Sequence, residues 1–325
     1  MTSFHLTRRT LARGLSLLAA APLLALAQDS KPLEWVVGYA AGGGSDVVAR
    51  TVAEQMGKTL GRTIVVNNKP GAATNIAADY VAKSRDYGNI MLTGDFATLA
   101  ANPALFAKLP YDAEKDFKPV GMLARFPLLV VVASNVPAKT WKEFVAWAKT
   151  QPQGVNYASA GAGSPHHLAG ELLREQSGLN LVHVPYRGAA PAVQDLMGGQ
   201  VTMGMIDTAA AQQYVASGKL RALAVASPAR IKSLPDVPTL AEQGLKGFEA
   251  YAWQGLVVPS GTPADATAHL GRALQAALDS TLVKARFETL GLEPMPGTPE
   301  QMAGFVRSER ERWGKLIRTN NIRLD

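Results

Sequence analysis

Apolar and polar positions along the chain fall into one phrase that occurs three times. In LEWVVGYAAGGGSDVVARTVAEQMGKTL an apolar run around Trp35, Val36 and Val37 stops at three glycines, and a helical period resumes at Asp46. In TIVVNNKPGAATNIAADYVAKS, Thr63 to Val66 reads as a strand and Pro70-Gly71 as a turn. A helix from Thr74 onward follows, with Ile76, Ala77, Tyr80 and Val81 on one side. The segment VNYASAGAGSPHHLAGELLREQSG repeats strand, glycine loop and helix. Short β-rich runs alternating with helical periods predict an open α/β sheet. Ligands of such sheets sit beyond the carboxyl ends of the strands, where helices begin.

The N-terminus stands outside this pattern. MTSFHLTRRTLARGLSLLAAAPLLALAQ carries Arg8, Arg9 and Arg13, then an apolar stretch from Gly14 to Leu26 and the small-x-small triplet Ala25-Leu26-Ala27. It reads as an export signal cleaved after Ala27, too short to span a membrane. The pair Arg8-Arg9 also suits the twin-arginine route. With no cysteine there is neither a lipid anchor nor a disulfide, so a free periplasmic protein is expected.

Of the 325 residues, 47% are hydrophobic and 18% charged, a balance that suits two globular domains. The net charge is +7; without the three leader arginines, 30 basic residues face 26 acidic ones, which leaves +4. No basic stripe is interleaved with aromatics, so nucleic acid is not expected as a partner. A mild positive charge is compatible with an anionic solute.

The glycine loops have a physical use. The first turn of a helix leaves backbone N–H groups unpaired and carries about half a positive charge, and glycine lets an anion approach closely. Glycine loops are also an ordinary way to turn a strand into a helix, but three together favour a binding device. GGGSD lacks the Lys-Ser/Thr ending of a P-loop, and YAAGGGSDVV lacks the spacing of a dinucleotide fingerprint. Ala158-Ser159-Ala160-Gly161 resembles a nucleophile elbow, but Tyr157 stands where that pattern needs glycine. Adjacent His166 and His167 diverge on a helix, and His183 and His269 lack metal-ligand spacing. Neither an enzyme, a metal site nor a cofactor is expected.

The strings GGGSDVVAR, VVNNKPGAATNIAADYVAKS, YASAGAGSPHHLAGELL, LVHVPYRGAAPAVQDLMGGQV and LPDVPTLAEQGL resemble the Bug family. These are extracytoplasmic solute receptors of tripartite tricarboxylate transporters, and the resemblance runs from about Trp35 to the C-terminus. It implies a type II periplasmic-binding-protein fold of class α/β, two domains with a ligand cleft between them, acting as a monomer. The chain would cross between domains near Arg125-Phe126 and return near Trp253-Gln254. That assigns residues 28–124 and 253–325 to domain 1 and 125–252 to domain 2, with a C-terminal helix from Pro299 to Ile317 on domain 1. The resemblance implies carboxylate contacts from Tyr39, Gly43, Gly44 and Asp46 in the first loop and from Ala72, Thr74 and Asn75 in the second. Asp46 would act as a helix cap and water holder. Ser164, His167 and Asp207 would close over the distal end. The partners implied are a small organic carboxylate or amino acid and membrane permease subunits, or a sensor kinase if the receptor signals instead of delivering.

Two departures from the family pattern stand out. The family's Pro-rich run before the glycines is replaced by Gly38-Tyr39-Ala40-Ala41, so a less rigid loop is expected. Asp95 stands beside Phe96 in TGDFATLAANPAL, where relatives carry Ser or Thr facing the pocket, and both residues are site candidates. Asp95 also reads as a helix N-cap. In the pocket its charge would oppose a bound carboxylate by about 3 kcal/mol at 5 to 6 Å with an effective dielectric near 20. A carboxylate carrying a donor, such as an amino acid or hydroxy acid, would offset that.

Overall fold

The strand-forming runs assemble into one continuous sheet. The computed structural model describes residues 31–325; the leader, with its expected cleavage after Ala27, lies outside the described residues. In chain order the elements are β1 (Leu33–Val37), α1 (Gly44–Leu60), β2 (Ile64–Asn68), α2 (Asn75–Ala82), β3 (Ile90–Asp95) and a π-helical turn at Ala97–Ala101. Then come α3 (Asn102–Leu105), β4 (Phe117–Ala133), α4 (Trp141–Ala148), β5 (Val155–Ser159), α5 (Pro165–Ser177), β6 (Leu181–Pro185) and α6 (Ala189–Met197). The chain continues through β7 (Met203–Asp207), α7 (Thr208–Ala216), β8 (Leu220–Val225), β9 (Tyr251–Pro259), α8 (Ala264–Asp279), α9 (Thr281–Thr289), β10 (Glu293–Pro294) and α10 (Pro299–Thr319).

The strand order is β2-β1-β3-β9-β4-β7-β5-β6, with β8 and β10 attached to β4. Pairing is parallel at both ends, β2-β1-β3 and β7-β5-β6, and antiparallel where β3, β9, β4 and β7 meet. Central strands covered by helices on both faces are mostly apolar; every residue of β3, polar Thr93 and Asp95 included, and all of β1 except Glu34 is buried.

β4 and β9 join the two groups of strands. β4 pairs with β9 from Phe117 to Pro127, then with β7 and β8 from Leu128 to Ala133. Pro127 marks the changeover, and a residue without a backbone N–H suits the point where a strand changes partners. The two expected crossings face each other here, with Arg125 opposite Trp253 and Phe126 opposite Ala252. Behind them one hydrophobic cluster runs from Val36 and Phe96 through Leu128 and Val130 to Tyr157 and Trp313. Separate clusters fill the α1–α8–α9 side and the β5–α6–β7 side.

Some elements differ from the sequence reading. The second strand runs two residues further than Val66, to Asn68. The helix after it begins at Asn75, because Ala72, Ala73 and Thr74 all take left-handed φ angles of 46°, 51° and 73°. Its buried face is Asn75, Ala77, Ala78 and Val81, whereas Ile76 and Tyr80 face outward. The C-terminal helix extends to Thr319 and is fixed by a capping box between Thr298 and Gln301.

Candidate functional site

Four helices begin at one cleft. Gly43, Gly44 and Ser45 bring the start of α1 to its wall; Ser164 and His166 bring α5, Gly188 and Ala189 bring α6, and Asp207 brings α7. The cleft, open to solvent on one side, spans about 730 Å³. Its inner wall is β4 and β9, which contribute Phe126, Trp253 and Gln254. The helices differ in how their first turns are satisfied. Ser164 caps α5 by accepting the His167 N–H, and Asp207 caps α7 by accepting the Ala210 N–H. No side chain caps α1 or α6, whose N-cap residues are Gly43 and Gly188. The first-turn amides of these two helices therefore lack the partner a capping side chain supplies.

Of the residues expected from the sequence, Tyr39, Gly43, Gly44, Asp95, Phe96, Ser164 and Asp207 line the cleft. Asp46, Thr74, Asn75 and His167 are buried outside this lining, and Ala72 is exposed outside it. Asp46 accepts the Gly42 N–H at 2.9 Å and pairs with Arg50, which braces the glycine loop from beneath. Burial opposes ionisation there, but the hydrogen bonds from Arg50 and Gly42 outweigh it and hold the carboxyl below its ordinary range. In the second loop the Thr74 hydroxyl meets the Thr98 hydroxyl at 2.8 Å, and Asn75 accepts from Asn102 at 2.7 Å. These contacts tie the loop to the helix after β3. Thr74 also supports the first loop, because a Cβ on Gly38 would lie only 2.8 Å from the Thr74 Cβ. The replacement of a Pro-rich run by Gly38 is matched by this close approach.

His166 takes the place at the wall that was expected of His167. Its Nδ1 accepts the Ala160 N–H at 3.2 Å, which puts the ring proton on Nε2, 3.1 Å from Asp207 Oδ2. His167 turns inward, accepts the Gly163 N–H on Nδ1 and stacks on His183 with ring centres 3.9 Å apart. Burial pushes the His183 imidazole down to about 3, assisted by His167. Burial likewise lowers His167, against the charge of Glu171.

Asp95 is both the helix cap and the pocket residue. Its Oδ1 accepts the Thr98 N–H at 2.8 Å while the side chain lines the cleft at 2% exposure. Burial pushes its carboxyl up to about 6, despite hydrogen bonds from Thr98 and Ala97. Tyr39 sits between this acid and Asp207, and burial followed by those two charges pushes its phenol well above the usual range. Phe96 and Trp253 form an aromatic floor, braced edge-on by Trp313 and Phe305.

Sequence reasoning missed Arg187, Gly188, Trp253 and Gln254. Arg187-Gly188 stands in PYRGAAP, a glycine followed by a helical start, which is the signal already used for the first loop. Trp253 and Gln254 carry no local mark, because they reach the cleft only through the pairing of β9 with β3 and β4. Among the described residues no cluster of three His, Asp or Glu side chains could hold a metal ion, and no helix is long and apolar enough to cross a membrane.

A cleft between two groups of strands joined by β4 and β9, walled by helix N-termini, defines a type II periplasmic-binding-protein receptor. Residues 48–322 match the sequence model described as the tripartite tricarboxylate transporter family receptor, and the chain belongs to this family. It is 34% identical to the protein BugT of Bordetella pertussis over 306 residues, 94% of each chain. An R. palustris protein solved with adipate is 32% identical, covers 90% of this chain and 98% of its own, and superposes with a TM-score of 0.87. MatC from Rhodopseudomonas palustris with bound malate is 36% identical over 88% of this chain and 98% of its own, with a TM-score of 0.83. The family consists of periplasmic solute-binding receptors, not enzymes.

Proposed function

We propose that the protein is a periplasmic receptor that captures a small organic carboxylate and delivers it to a tripartite tricarboxylate-type membrane transporter. The observation that carries this reading is the pair of uncapped helix starts, α1 at Gly43 and α6 at Gly188, facing one cleft. Each such terminus attracts an anion by about 0.3 to 1 kcal/mol, and more when partly buried. Arg187 at the rim adds a full positive charge. The adipate and malate of the two relatives are carboxylates of a size that suits a cleft of about 730 Å³.

In this reading residues 28–124 with 253–325 form one jaw and 125–252 the other, hinged at β4 and β9. Closure brings Gly44 against Asp207 and shuts water out. The same reading has the leader cleaved after Ala27. A thermal-shift screen of organic acids tests it: a true ligand at about 100 times its dissociation constant adds roughly 2.7 kcal/mol of stability. Uptake of the same acid by cells lacking the receptor gene must then fall. A panel of mono-, di- and tricarboxylates that stabilises nothing refutes the reading.

A further inference from the structure

Two acceptor atoms in the cleft have no hydrogen-bond partner. Asp95 Oδ2 is buried and unpaired, although Oδ1 of the same carboxyl is satisfied by Thr98. Gln254 Oε1 is likewise buried and unpaired, while its Nε2 donates to Ser45 Oγ. These residues are direct partners across β3 and β9, so their side chains leave the sheet on the same face. Both line the cleft, at 2% and 5% exposure. The other carboxylate of the cleft is different, because Asp207 commits Oδ1 to the Ala210 N–H and Oδ2 to His166.

Buried acceptors without donors are costly, more so when charged, and in a binding cleft the donor is supplied by what binds. A hydroxyl brings one donor and can satisfy one acceptor, a plain carboxylate brings none, and an ammonium group brings three with a compensating charge. Resting on the carboxylate reading above, we propose that Asp95 and Gln254 form an ammonium subsite, so that the preferred solute is a carboxylate bearing a protonated amine. Its carboxylate lies at the uncapped starts of α1 and α6 and its ammonium lies over the β3–β9 pair.

The charges around Asp95 agree. Tyr39 from the first loop, Tyr111 beyond the helix that follows β3, and Asp207 on α7 are the titratable groups interacting with it or facing the same space. None of them brings a positive charge. His166 is turned to Asp207, and the cleft's one cationic side chain among the described residues, Arg187, is at the exposed rim. A dicarboxylate without a donor would place a second negative charge among Asp95 and Asp207, and Asp95 would have to take up a proton to admit it. Burial already holds that carboxyl near 6, within reach of either response.

The test is calorimetric binding at pH 6 in two buffers of different ionisation enthalpy. One ligand series has four carbons (succinate, malate, aspartate) and the other six (adipate, 2-aminoadipate). The amine-bearing member of at least one series should bind about tenfold or more tightly than its partners and release protons as Asp95 ionises. Asp95→Asn, which keeps an oxygen for the Thr98 N–H, should erase that preference and the proton release together. The proposal is overturned if the amine-free acids bind as tightly to the parent with proton uptake, since Asp95 then acts as a protonated donor. An equal change for every ligand in Asp95→Asn also overturns it and leaves Asp95 a helix cap. If no acid of either series binds, the carboxylate reading itself fails and this proposal goes with it.

Discussion

Adding a side chain at Gly44 tests how the cleft closes. Gly44 begins α1 with ordinary helical backbone, so a Cβ is tolerated conformationally. The obstacle is across the cleft: a Cβ there would lie 3.1 Å from Asp207 Oδ1, 3.2 Å from the Ala209 Cβ and 3.3 Å from Phe126 Cε1. Alanine needs its neighbours to yield by a few tenths of an ångström. Valine adds two methyl groups beyond that point, and overpacking of this kind costs about 1 to 3 kcal/mol. In the two-jaw reading proposed above, Asp207 and Ala209 belong to the opposite jaw, so the cost falls on the closed form and spares the open one. A closed-state penalty of about 2 kcal/mol lowers apparent affinity roughly 30-fold. Gly44→Ala should therefore bind a few-fold more weakly and Gly44→Val roughly 30-fold more weakly. In that reading ligand-free protein is open, so its unfolding should be almost unchanged in both. Titration calorimetry gives the affinities, and small-angle scattering with and without ligand gives the compaction. Parent-like affinity and compaction in Gly44→Val would refute the argument.

Other consequences can be measured separately. Between about pH 4 and 6 the folded chain holds a proton on Asp95 that the unfolded chain has lost, so raising the pH through this window removes about 3 kcal/mol of stability from ligand-free protein. His183 acts in the opposite direction, since below pH 6.5 the unfolded ring gains a proton that the folded ring refuses. On acidification from pH 6.5 to 4, Asp95→Asn should thus lose more stability than the parent; equal losses in denaturant melts would contradict this. Glu309 accepts from the indoles of Trp253 at 2.8 Å and Trp313 at 3.1 Å, so Glu309→Ala strands two buried donors and should cost about 3 kcal/mol, with Glu309→Gln costing less. Export predicts that mature protein starts at Gln28, as N-terminal sequencing would show. Replacing Arg8 and Arg9 by Lys blocks export only if the twin-arginine route is used.

The parts of the molecule written in local patterns were the legible ones. The β1-to-α1 loop could be read because glycines interrupt an apolar strand just before a helical period, but Asp46 does not cap α1 as expected: Gly43 is the N-cap, and Asp46 accepts the Gly42 N–H from within the first turn. His166 and His167 could not be told apart, because neighbours on a helix differ by a rotation that only the strand beneath α5 fixes. In the second glycine loop the helix begins one residue later than the expected Thr74. Three consecutive non-glycine residues in left-handed conformation turn Thr74 and Asn75 toward Thr98 and Asn102, and no propensity argument anticipates that run. Gln254 and Trp253 were invisible for a different reason: a site residue on a central strand looks like any other core position until its register is known.

The seventeen residues of β4 pair first with β9 and then with β7 and β8, so both groups of strands share them. A hinge built from a flexible tether would let each half melt by itself, whereas a shared strand makes the edge of one half the edge of the other. Pulling β4 out of register with β9 also removes the surface on which β7 and β8 pair. Bending at this point would leave the two halves coupled, so limited proteolysis of the folded protein is expected to release no half-molecule.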